Sequence, residues 1–217
     1  MKGIAFIGGD GPEREIGLKA LGRFDFAAAA DSGLMAAERW GVRCDLIVGD
    51  MDSIDDPRRL DKYPAGTVIR LPTDKDETDT EAALRMLAGR GCTERVLVGG
   101  GGGRLDHTLA IVALFERPGA PDRWITALED VRLLDGEKAG RTGLRLQVRP
   151  LSLVSVFPIG EGPWIACSTG LHWPLDGLRW KRGDFGVSNF AESGDFAVTA
   201  GKGRFLVVTP LADALFS

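Results

Sequence analysis

Acidic residues gather at three places in this sequence, each just after an apolar run. The first acidic motif, Gly49-Asp50-Met51-Asp52-Ser53, follows the apolar run 44–48. The second, Asp74-Lys75-Asp76-Glu77-Thr78-Asp79, follows the run 68–71. The third, Arg104-Leu105-Asp106-His107, follows the run 95–98 and the five glycines Gly99–Gly103. Carboxylates that lie close together repel one another, so a cation is needed to offset the repulsion. Mg²⁺ held by one or two carboxylates and by substrate phosphates is the usual arrangement. The pattern therefore predicts phosphate chemistry on a nucleotide.

The composition is that of an ordinary folded protein. The chain has 217 residues, of which 44% are hydrophobic and 27% are charged, so it can form one large domain or two small ones. The formal net charge of -4 argues against a nucleic-acid partner, which would require a basic surface. A small anionic ligand stays compatible with this charge, because a bound metal reverses the local sign.

The cysteines and the N-terminus predict a cytoplasmic protein. Cys44, Cys92 and Cys167 are scattered, with no CxxC spacing, which favours free thiols in a reducing compartment and gives no zinc site. The apolar run at the N-terminus is interrupted at Gly8, too early for a signal peptide. No stretch approaches the roughly 18 apolar residues of a membrane span, so we expect no membrane partner.

The first half of the chain alternates strand-like and helix-like segments. The predicted strands are 4–7, 24–30, 44–48, 68–71 and 95–98, and the predicted helices are 33–40, 80–90 and 107–116. This alternation indicates βαβ units and a parallel sheet. Ligands of such sheets bind outside the carboxyl ends of the strands. All three acidic turns fall at that edge, so we expect their carboxylates to converge.

The pattern changes after Pro118. Helical periodicity fades, and short β-type runs appear at 131–134, 144–148, 151–157 and 205–208, separated by glycine-rich turns. These runs are typical of an all-β sandwich or a partial barrel. We therefore predict an α/β protein with a nucleotide-binding domain over 1–120 and a smaller all-β domain over 121–217.

The acidic motifs also have structural interpretations. Asp50 and Asp52 either reach one metal ion or belong to a turn in which a side chain bonds the backbone. The stretch 74–81 holds more acids than the cap of the following helix requires, although Thr78 or Asp79 suits that cap. Lys75 either contacts a phosphate or offsets the local negative charge.

The five glycines at 99–103 allow the backbone to approach a phosphate closely, and the helix that follows favours an anion. They do not form a Walker A loop, because no Gly-Lys-Ser/Thr follows, and the alternative is a flexible surface turn. Arg104 suits a clamp on a phosphoryl oxygen. His107 is a structural residue or a proton shuttle. Nothing in the residue types alone favours ligand binding over core or turn roles for the aromatic and Ser-Asn segments near 173 and 188.

Six motifs occur in a specific order. They are Asp31-Ser32-Gly33, Gly49-Asp50-Met51-Asp52-Ser53, Asp74-Lys75-Asp76-Glu77-Thr78-Asp79, Gly102-Gly103-Arg104-Leu105-Asp106-His107, Gly170-Leu171-His172-Trp173-Pro174-Leu175 and Ser188-Asn189. Together they resemble the thiamine pyrophosphokinase family, over a span from about Gly8 to Asn189. One departure is that Phe190 follows Ser188-Asn189 where family members often carry an acid, and Glu192 comes later.

The resemblance implies a Rossmann-like N-terminal domain, a C-terminal β-sandwich that binds thiamine, and a homodimer with active sites between subunits. It implies that ATP and thiamine are converted into AMP and thiamine diphosphate. It places Mg²⁺ on Asp50, Asp52 and Asp79 with Asp76 close by, and thiamine on Trp173, Ser188 and Asn189. It makes Asp50, Asp52, Asp79, Arg104 and Asp106 the catalytic set. The residues expected to bind the nucleotide are Asp31, Ser32, Gly33, Lys75, Asp76, Thr78, Gly102, Gly103, Arg104 and His107.

Three alternatives remain at this point. The first is a diphosphokinase for another hydroxymethyl heterocycle, such as a pterin, which would keep the acidic edge and change the aromatic pocket. The second is a non-catalytic sensor of nucleotide or thiamine diphosphate. The third treats the acids only as caps and turns. The sequence also leaves open whether Asp79 or Asp106 accepts the proton of the substrate hydroxyl.

Overall fold

The structure, a computed structural model, describes residues 1–213, and their contacts divide the chain into two compact units. The first unit comprises 1–114 and 119–127, and the second comprises 115–118 and the chain from Leu128 onward. The contacts thus assign 121–127, which the sequence analysis placed in the second domain, to the first unit. Among the described residues, no helix has the length and apolar character needed to cross a membrane.

The first unit contains a parallel sheet and four helices. Its elements are β1 (Lys2–Phe6), α1 (Arg14–Leu21), β2 (Phe26–Ala30), α2 (Gly33–Arg39), β3 (Leu46–Gly49), a 3₁₀ helix (Pro57–Lys62), β4 (Val68–Arg70), α3 (Asp79–Gly89), β5 (Glu94–Val98), α4 (Leu105–Leu114) and β6 (Arg123–Ile125). The six strands lie in the order β6-β5-β1-β2-β3-β4, and every neighbouring pair is parallel. The predicted parallel sheet is confirmed.

The central strands are apolar because both faces of the sheet are covered, which is typical of parallel sheets. Ile4, Ala28, Ile47 and Leu97 are all 0% exposed. Small residues in β2 let α3 pack closely on the sheet, and α3 buries Leu87 on the same side of its helix as Ala83.

The strand order reverses direction once. The chain runs from β1 through β2 and β3 to β4 on one side of β1, and then returns to β5 on the other side. In open α/β sheets, ligands bind at such a reversal, at the carboxyl ends of the strands. Here the reversal lies between β1 and β5, and the loops that follow these two strands are the glycine-rich segments 8–11 and 99–103.

The second unit consists of antiparallel strands. They are β7 (Glu129–Asp135), β8 (Gly143–Gln147), β9 (Leu153–Ile159), β10 (Ile165–Thr169), β11 (Gly186–Phe190), β12 (Asp195–Lys202) and β13 (Arg204–Pro210). Four strands lie in the order β11-β9-β13-β7, and three others in the order β10-β12-β8. Apolar side chains from both sets form one core that includes Val156, Phe196 and Phe205, all at most 1% exposed. Buried residues alternate with more exposed ones along β12, and half-buried residues alternate with exposed ones along β8, which fits strands with one covered face.

Candidate active site

Three carboxylates from separate elements meet at the carboxyl edge of the parallel sheet. Asp31 follows β2, Asp50 follows β3, and Asp79 is the first residue of α3. One oxygen of each lies within 4.8 Å of the others, a spacing at which all three can bind a single metal ion. The sequence analysis predicted that Asp50 and Asp79 share a metal site. The structure adds Asp31, which had been expected to bind the nucleotide.

The backbone around these carboxylates is unusual. Asp31 has φ of 47° and Met51 has φ of 68°, a region that non-glycine residues seldom adopt and that is enriched at functional sites. Gly49 allows the close approach: a Cβ there would lie 3.1 Å from Asp31 Cβ and 3.2 Å from Asp79 Cγ. A larger residue at position 49 would therefore push into the carboxylate cluster.

Two of the carboxylate oxygens in this cluster, Asp31 Oδ1 and Asp79 Oδ1, are buried. Asp31 Oδ1 has no hydrogen-bond partner within residues 1–213. Asp79 Oδ1 is contacted by Lys75, whose Nζ lies 3.2 Å away and also donates a hydrogen bond to the Pro72 carbonyl. Native proteins rarely leave buried polar atoms unpaired. Three converging carboxylates with one unpaired buried oxygen and one ammonium group beside them fit a hard divalent cation, which prefers oxygen ligands.

The electrostatics of Asp79 agree with a cation site. Burial raises the pKa of the Asp79 carboxyl above its usual value, and the charges of Asp50 and Asp31 raise it further. Lys75 acts in the opposite direction, through its ion pair with Asp79. One ammonium group thus offsets only part of the repulsion among the three acids.

The other acids of the predicted metal site lie outside this three-carboxylate group. Asp52 is exposed, and its carboxylate accepts a hydrogen bond from the Ser53 hydroxyl at 2.9 Å. Its N–H lies 3.3 Å from Asp50 Oδ1, so Asp52 takes part in the turn that the sequence allowed as an alternative. Asp76 is exposed as well.

Thr78 has a structural role at the start of α3. Its hydroxyl accepts a hydrogen bond from Glu81 N–H at 3.2 Å, and Glu81 Oε2 accepts one from Thr78 N–H at 2.9 Å. This reciprocal pair is a capping box. It fixes the first turn of α3, and therefore the position of Asp79.

The two glycine-rich loops are bonded to each other. Gly100 N–H donates to the Gly8 carbonyl at 2.8 Å, and the backbones of Asp10 and Gly101 form a two-bond bridge at 2.6 and 2.9 Å. A Cβ at Gly102, where φ is 62°, would lie 2.2 Å from Asp10 Oδ2, so only glycine fits there. The sequence analysis assigned no role to Asp10, although it directly follows Gly8-Gly9 in the first strand–loop segment.

Other predicted nucleotide residues border these loops. Ser32 lies over Gly8, because a Cβ at Gly8 would come 2.5 Å from the Ser32 hydroxyl. Helix α2 begins at Gly33, which lies against β1. A Cβ at Gly33 would come 2.1 Å from the Phe6 carbonyl. Gly103 also has positive φ, at 67°. The loop 99–103 thus has a backbone that is specific to glycine, rather than that of a flexible turn.

Arg104 and Asp106 form a bidentate ion pair at the start of α4. Arg104 Nε donates to Asp106 Oδ1 at 3.1 Å and Nη2 donates to Oδ2 at 2.6 Å, while His107 N–H donates to Oδ1 at 3.0 Å. The Arg104 hydrogen bonds lower the pKa of the Asp106 carboxyl. The side chains of Arg104 and Asp106 are 72% and 61% exposed, and the Asp106 carboxylate does not belong to the three-carboxylate group. His107 is exposed.

The second unit has a cavity of about 680 Å³ with aromatic walls. Its lining includes Trp173, Pro174, Leu175, Leu178, Arg179, Trp180, Gly183, Asp184, Phe185, Gly186, Val187 and Asn189. Of the three residues predicted to bind thiamine, Trp173 and Asn189 line this cavity. Ser188 does not belong to the lining. The segment 179–184 forms part of the wall through a turn in which Lys181 N–H donates to Asp184 Oδ2 at 2.7 Å.

Asn189 is buried and bonded on both sides of its amide. Its Oδ1 accepts from Trp173 N–H at 3.1 Å and from Phe190 N–H at 2.9 Å, and its Nδ2 donates to the Trp173 carbonyl at 2.7 Å. The pairing of β11 with β9 has a register shift between Gly186 and Asn189, and Ser188 lies within it with φ of 61°. Such irregularities change the direction in which side chains point.

The sequence around the carboxylate cluster is similar to a known family. Residues 19–124, which contain Asp31, Asp50, Asp79 and Arg104, match the family model described as thiamin pyrophosphokinase, catalytic domain. Over these residues the chain is similar to that catalytic domain. The resemblance seen in the sequence motifs is therefore confirmed. Enzymes of this family are transferases that generally use a divalent cation, as the carboxylate geometry indicates.

The chain is similar over nearly its whole length to solved structures of thiamin pyrophosphokinases. The thiamine pyrophosphokinase from Bacillus subtilis has a TM-score of 0.77 at 19% identity, with 97% of this chain and 99% of that chain covered. The enzyme from Geobacillus thermodenitrificans gives 0.75 at 22% identity, with 97% of each covered. Yeast thiamin pyrophosphokinase gives 0.67 at 16% identity, with 99% and 88% covered. At these identities the likeness shows the fold. No curated protein matches the sequence.

Proposed function

We propose that this chain transfers the pyrophosphoryl group of ATP to the hydroxyl of thiamine, giving AMP and thiamine diphosphate. The observation that carries the proposal is the cluster of Asp31, Asp50 and Asp79 in a segment that matches the thiamin pyrophosphokinase catalytic domain. Transfers of this kind need little covalent help from the protein, and positioning and charge stabilisation provide most of the rate.

The proposed cation is Mg²⁺, held by Asp31, Asp50 and Asp79. When bound, Mg²⁺ neutralises charge on the phosphate oxygens. The unpaired buried oxygen of Asp31 and the charge repulsion at Asp79 support this assignment, and Gly49 leaves the space that the cluster requires. Asp52 and Asp76 remain metal ligands only by resemblance, and geometry favours Asp31 in their place.

The nucleotide is proposed to bind at the reversal between β1 and β5. The loops 8–11 and 99–103 present backbone to the ligand there, and α2 begins beside them at Gly33. Arg104 and Lys75 contact phosphate oxygens in this proposal, with Ser32, Gly102, Gly103 and His107 nearby. Asp106 orients Arg104, because its two hydrogen bonds fix the guanidinium plane.

Thiamine is proposed to bind in the aromatic cavity of the second unit, on Trp173. Aromatic rings favour a cationic ligand, and the thiazolium ring of thiamine carries a positive charge. We include in the proposal a Rossmann-like first domain, a β-sandwich second domain, a cytoplasmic location, and a homodimer in which Trp173 serves the partner's site. The shared apolar core of the two antiparallel sets supports the sandwich.

Product analysis tests the reaction directly. Purified protein is mixed with Mg²⁺, ATP and thiamine, and AMP, ADP and thiamine phosphates are resolved. We expect AMP and thiamine diphosphate in equal amounts. ADP with thiamine monophosphate would contradict pyrophosphoryl transfer, and turnover of a pterin alcohol in place of thiamine would contradict the substrate. Binding without turnover would favour a sensor.

A further inference from the structure

Trp173 is held in place by contacts to which the family resemblance assigns no role. It is 56% exposed, although it lines the cavity of the second unit. An exposed indole loses rotamer freedom when a ligand stacks on it, and that loss weakens binding. Contacts that fix the ring beforehand remove this cost. Three neighbours make such contacts: Asn189, His172 and Phe190.

The backbone of Trp173 is fixed by Asn189. Both hydrogen bonds of the Trp173 peptide groups go to the Asn189 amide, which is 6% exposed. These bonds use both polar atoms of the amide side chain that the resemblance assigned to the substrate. Asn189 therefore acts first on the position of Trp173.

The ring of Trp173 is fixed from the side by His172 and Phe190. The imidazole of His172 stacks on the Phe190 ring, with centroids 4.5 Å apart and an interplanar angle of 15°. Both rings then meet Trp173 edge to face, at 4.7 Å and 79° for His172 and at 5.6 Å and 76° for Phe190. Edge-to-face contacts are a preferred geometry for aromatic pairs.

Glu192 fixes the imidazole in turn. His172 Nδ1 lies 2.9 Å from Glu192 Oε1. An ionised carboxylate only accepts hydrogen bonds, so Nδ1 carries the proton, and this bond sets the tautomer and the plane of the ring. His172 N–H donates to the Phe190 carbonyl at 3.0 Å, and Glu192 N–H donates to the Gly170 carbonyl at 3.1 Å, so both backbones are anchored. Phe190 and Glu192 are the residues of the departure from the family pattern that follows Ser188-Asn189 in the sequence.

We propose that the His172–Glu192 pair, stacked on Phe190, positions the Trp173 ring for the heterocyclic substrate. His172 and Glu192 are positioning residues: they act through Trp173 and need no contact with the substrate. The inference rests on the proposed function for its kinetic consequence. The geometry of the ring cluster does not depend on it.

The first test separates binding of thiamine from the other steps. His172→Ala removes both the stack and the bond to Glu192, whereas His172→Phe keeps the stack alone. We expect His172→Ala to raise KM for thiamine about two- to twelvefold, the range that edge-to-face contact energies correspond to. His172→Phe should recover part of the loss, and kcat and KM for ATP should stay near wild type.

A matched control is available on another exposed ion pair of the same unit. Asp195 pairs with Arg145, and its side chain is 47% exposed, against 60% for Glu192. Glu192→Gln and Asp195→Asn make the same chemical change, and only the former should raise KM for thiamine. Equal effects of the two substitutions would overturn the proposal. A parallel rise in KM for ATP with a lower Tm would also overturn it, since that is the behaviour of a purely structural defect.

A second test needs no substrate. The fluorescence of Trp173 is obtained as the difference between each protein and the same protein carrying Trp173→Phe, and acrylamide quenching of that component is measured. We expect His172→Ala to increase the quenching constant and Asp195→Asn to leave it unchanged. An unchanged constant in His172→Ala would overturn the proposal. If wild-type protein does not convert thiamine, the proposed function fails, while this measurement still decides the positioning role.

Discussion

The two candidate binding regions of this protein differ in how the polar groups of Asp31 and Asn189 are satisfied. At the edge of the parallel sheet, Asp31 keeps a buried oxygen without a hydrogen-bond partner in the described chain, and Asp79 has only the Lys75 ammonium beside its buried oxygen. Around Trp173, the polar atoms of Asn189 are bonded, and it is the indole ring that stays exposed. The first region therefore requires a charged ligand to complete it. The second is prepared in advance for a flat ring.

This difference follows from chemistry. A cation site needs oxygens that are available as ligands, so three carboxylates lie close together and partly buried. Their mutual repulsion is offset in part by one ammonium group, Lys75. A stacking site needs a fixed ring, so the protein uses its hydrogen bonds to fix the backbone and leaves a face of the ring open. A substitution that removes charge should therefore affect the first region most. A substitution that loosens packing should affect the second.

The largest effect is expected at Asp50. Asp50→Asn should lower kcat by more than about 100-fold. Mutation of a residue that only hydrogen-bonds a metal ligand already lowers metal affinity or activity about 10- to 100-fold, and Asp50 is itself placed among the ligands. Steady-state turnover of ATP and thiamine measures it. Asp52→Asn is the matched change two residues away, outside the three-carboxylate group, and we expect a smaller loss. Equal losses would mean that Asp52 also binds the metal, as the sequence motif predicts.

The second largest effect is expected in the other region, at Asn189. Asn189→Ala leaves the Trp173 N–H and carbonyl without their partners, and such a loss costs about 1–3 kcal/mol. KM for thiamine should rise about tenfold, while the affinity for the divalent cation should not change. Thiamine titrations and cation titrations on the same variant measure both. A change in cation affinity would contradict the separation of the two regions.

A pH effect is expected at Asp79. The pKa of its carboxyl is raised in the folded protein, so the group favours the folded state at low pH, and this contribution is lost as the pH rises through the raised pKa. Without divalent cation, wild type should lose stability relative to Asp79→Asn as the pH increases above about 4, where ordinary carboxyls ionise. Urea unfolding at several pH values checks the sign. Saturating Mg²⁺ should remove this loss, because a cation bound to the carboxylates favours the ionised form of Asp79 in the folded protein. A slope of opposite sign without the cation would contradict the assignment.

The smallest effect is expected at Thr78, whose role is structural. Thr78→Ala removes the capping box of α3 and should cost about 1 kcal/mol of unfolding free energy. Thermal or urea unfolding measures this loss. Thr78→Ser keeps a hydroxyl for the cap and serves as the control. If Thr78→Ala lowers turnover without lowering stability, and Thr78→Ser keeps wild-type turnover, the hydroxyl serves the nucleotide and the structural role is wrong.

Much of the first unit follows from the sequence because its strands are buried on both faces. Continuous apolar runs predicted β1, β2, β3 and β5, and acids after such runs predicted a cluster at one edge. The identity of the third acid did not follow, since Asp31 and Asp52 sit in similar turns and only the strand order brings Asp31 to Asp50. Helix α1 was not predicted, because its segment, 14–21, buries only Gly17 and Leu21 and so shows no clear apolar periodicity.

The second unit was harder to predict, for a physical reason. Its strands alternate between buried and exposed residues and are interrupted by irregular pairing, so β10, β11 and β12 gave no continuous apolar signal. The role of Asn189 could not be predicted either. Its partners are backbone atoms of Trp173, 16 residues away, and no residue type encodes such a contact.

The central claim is that Asp31, Asp50 and Asp79 hold the divalent cation. Its most direct test is the dissociation constant of Mn²⁺, a spectroscopically visible substitute for Mg²⁺, for wild type, Asp31→Asn and Asp52→Asn in the presence of a non-hydrolysable ATP analogue. We predict that Asp31→Asn weakens Mn²⁺ binding strongly and that Asp52→Asn leaves it close to wild type. Wild-type affinity in Asp31→Asn, together with a large loss in Asp52→Asn, would contradict the claim.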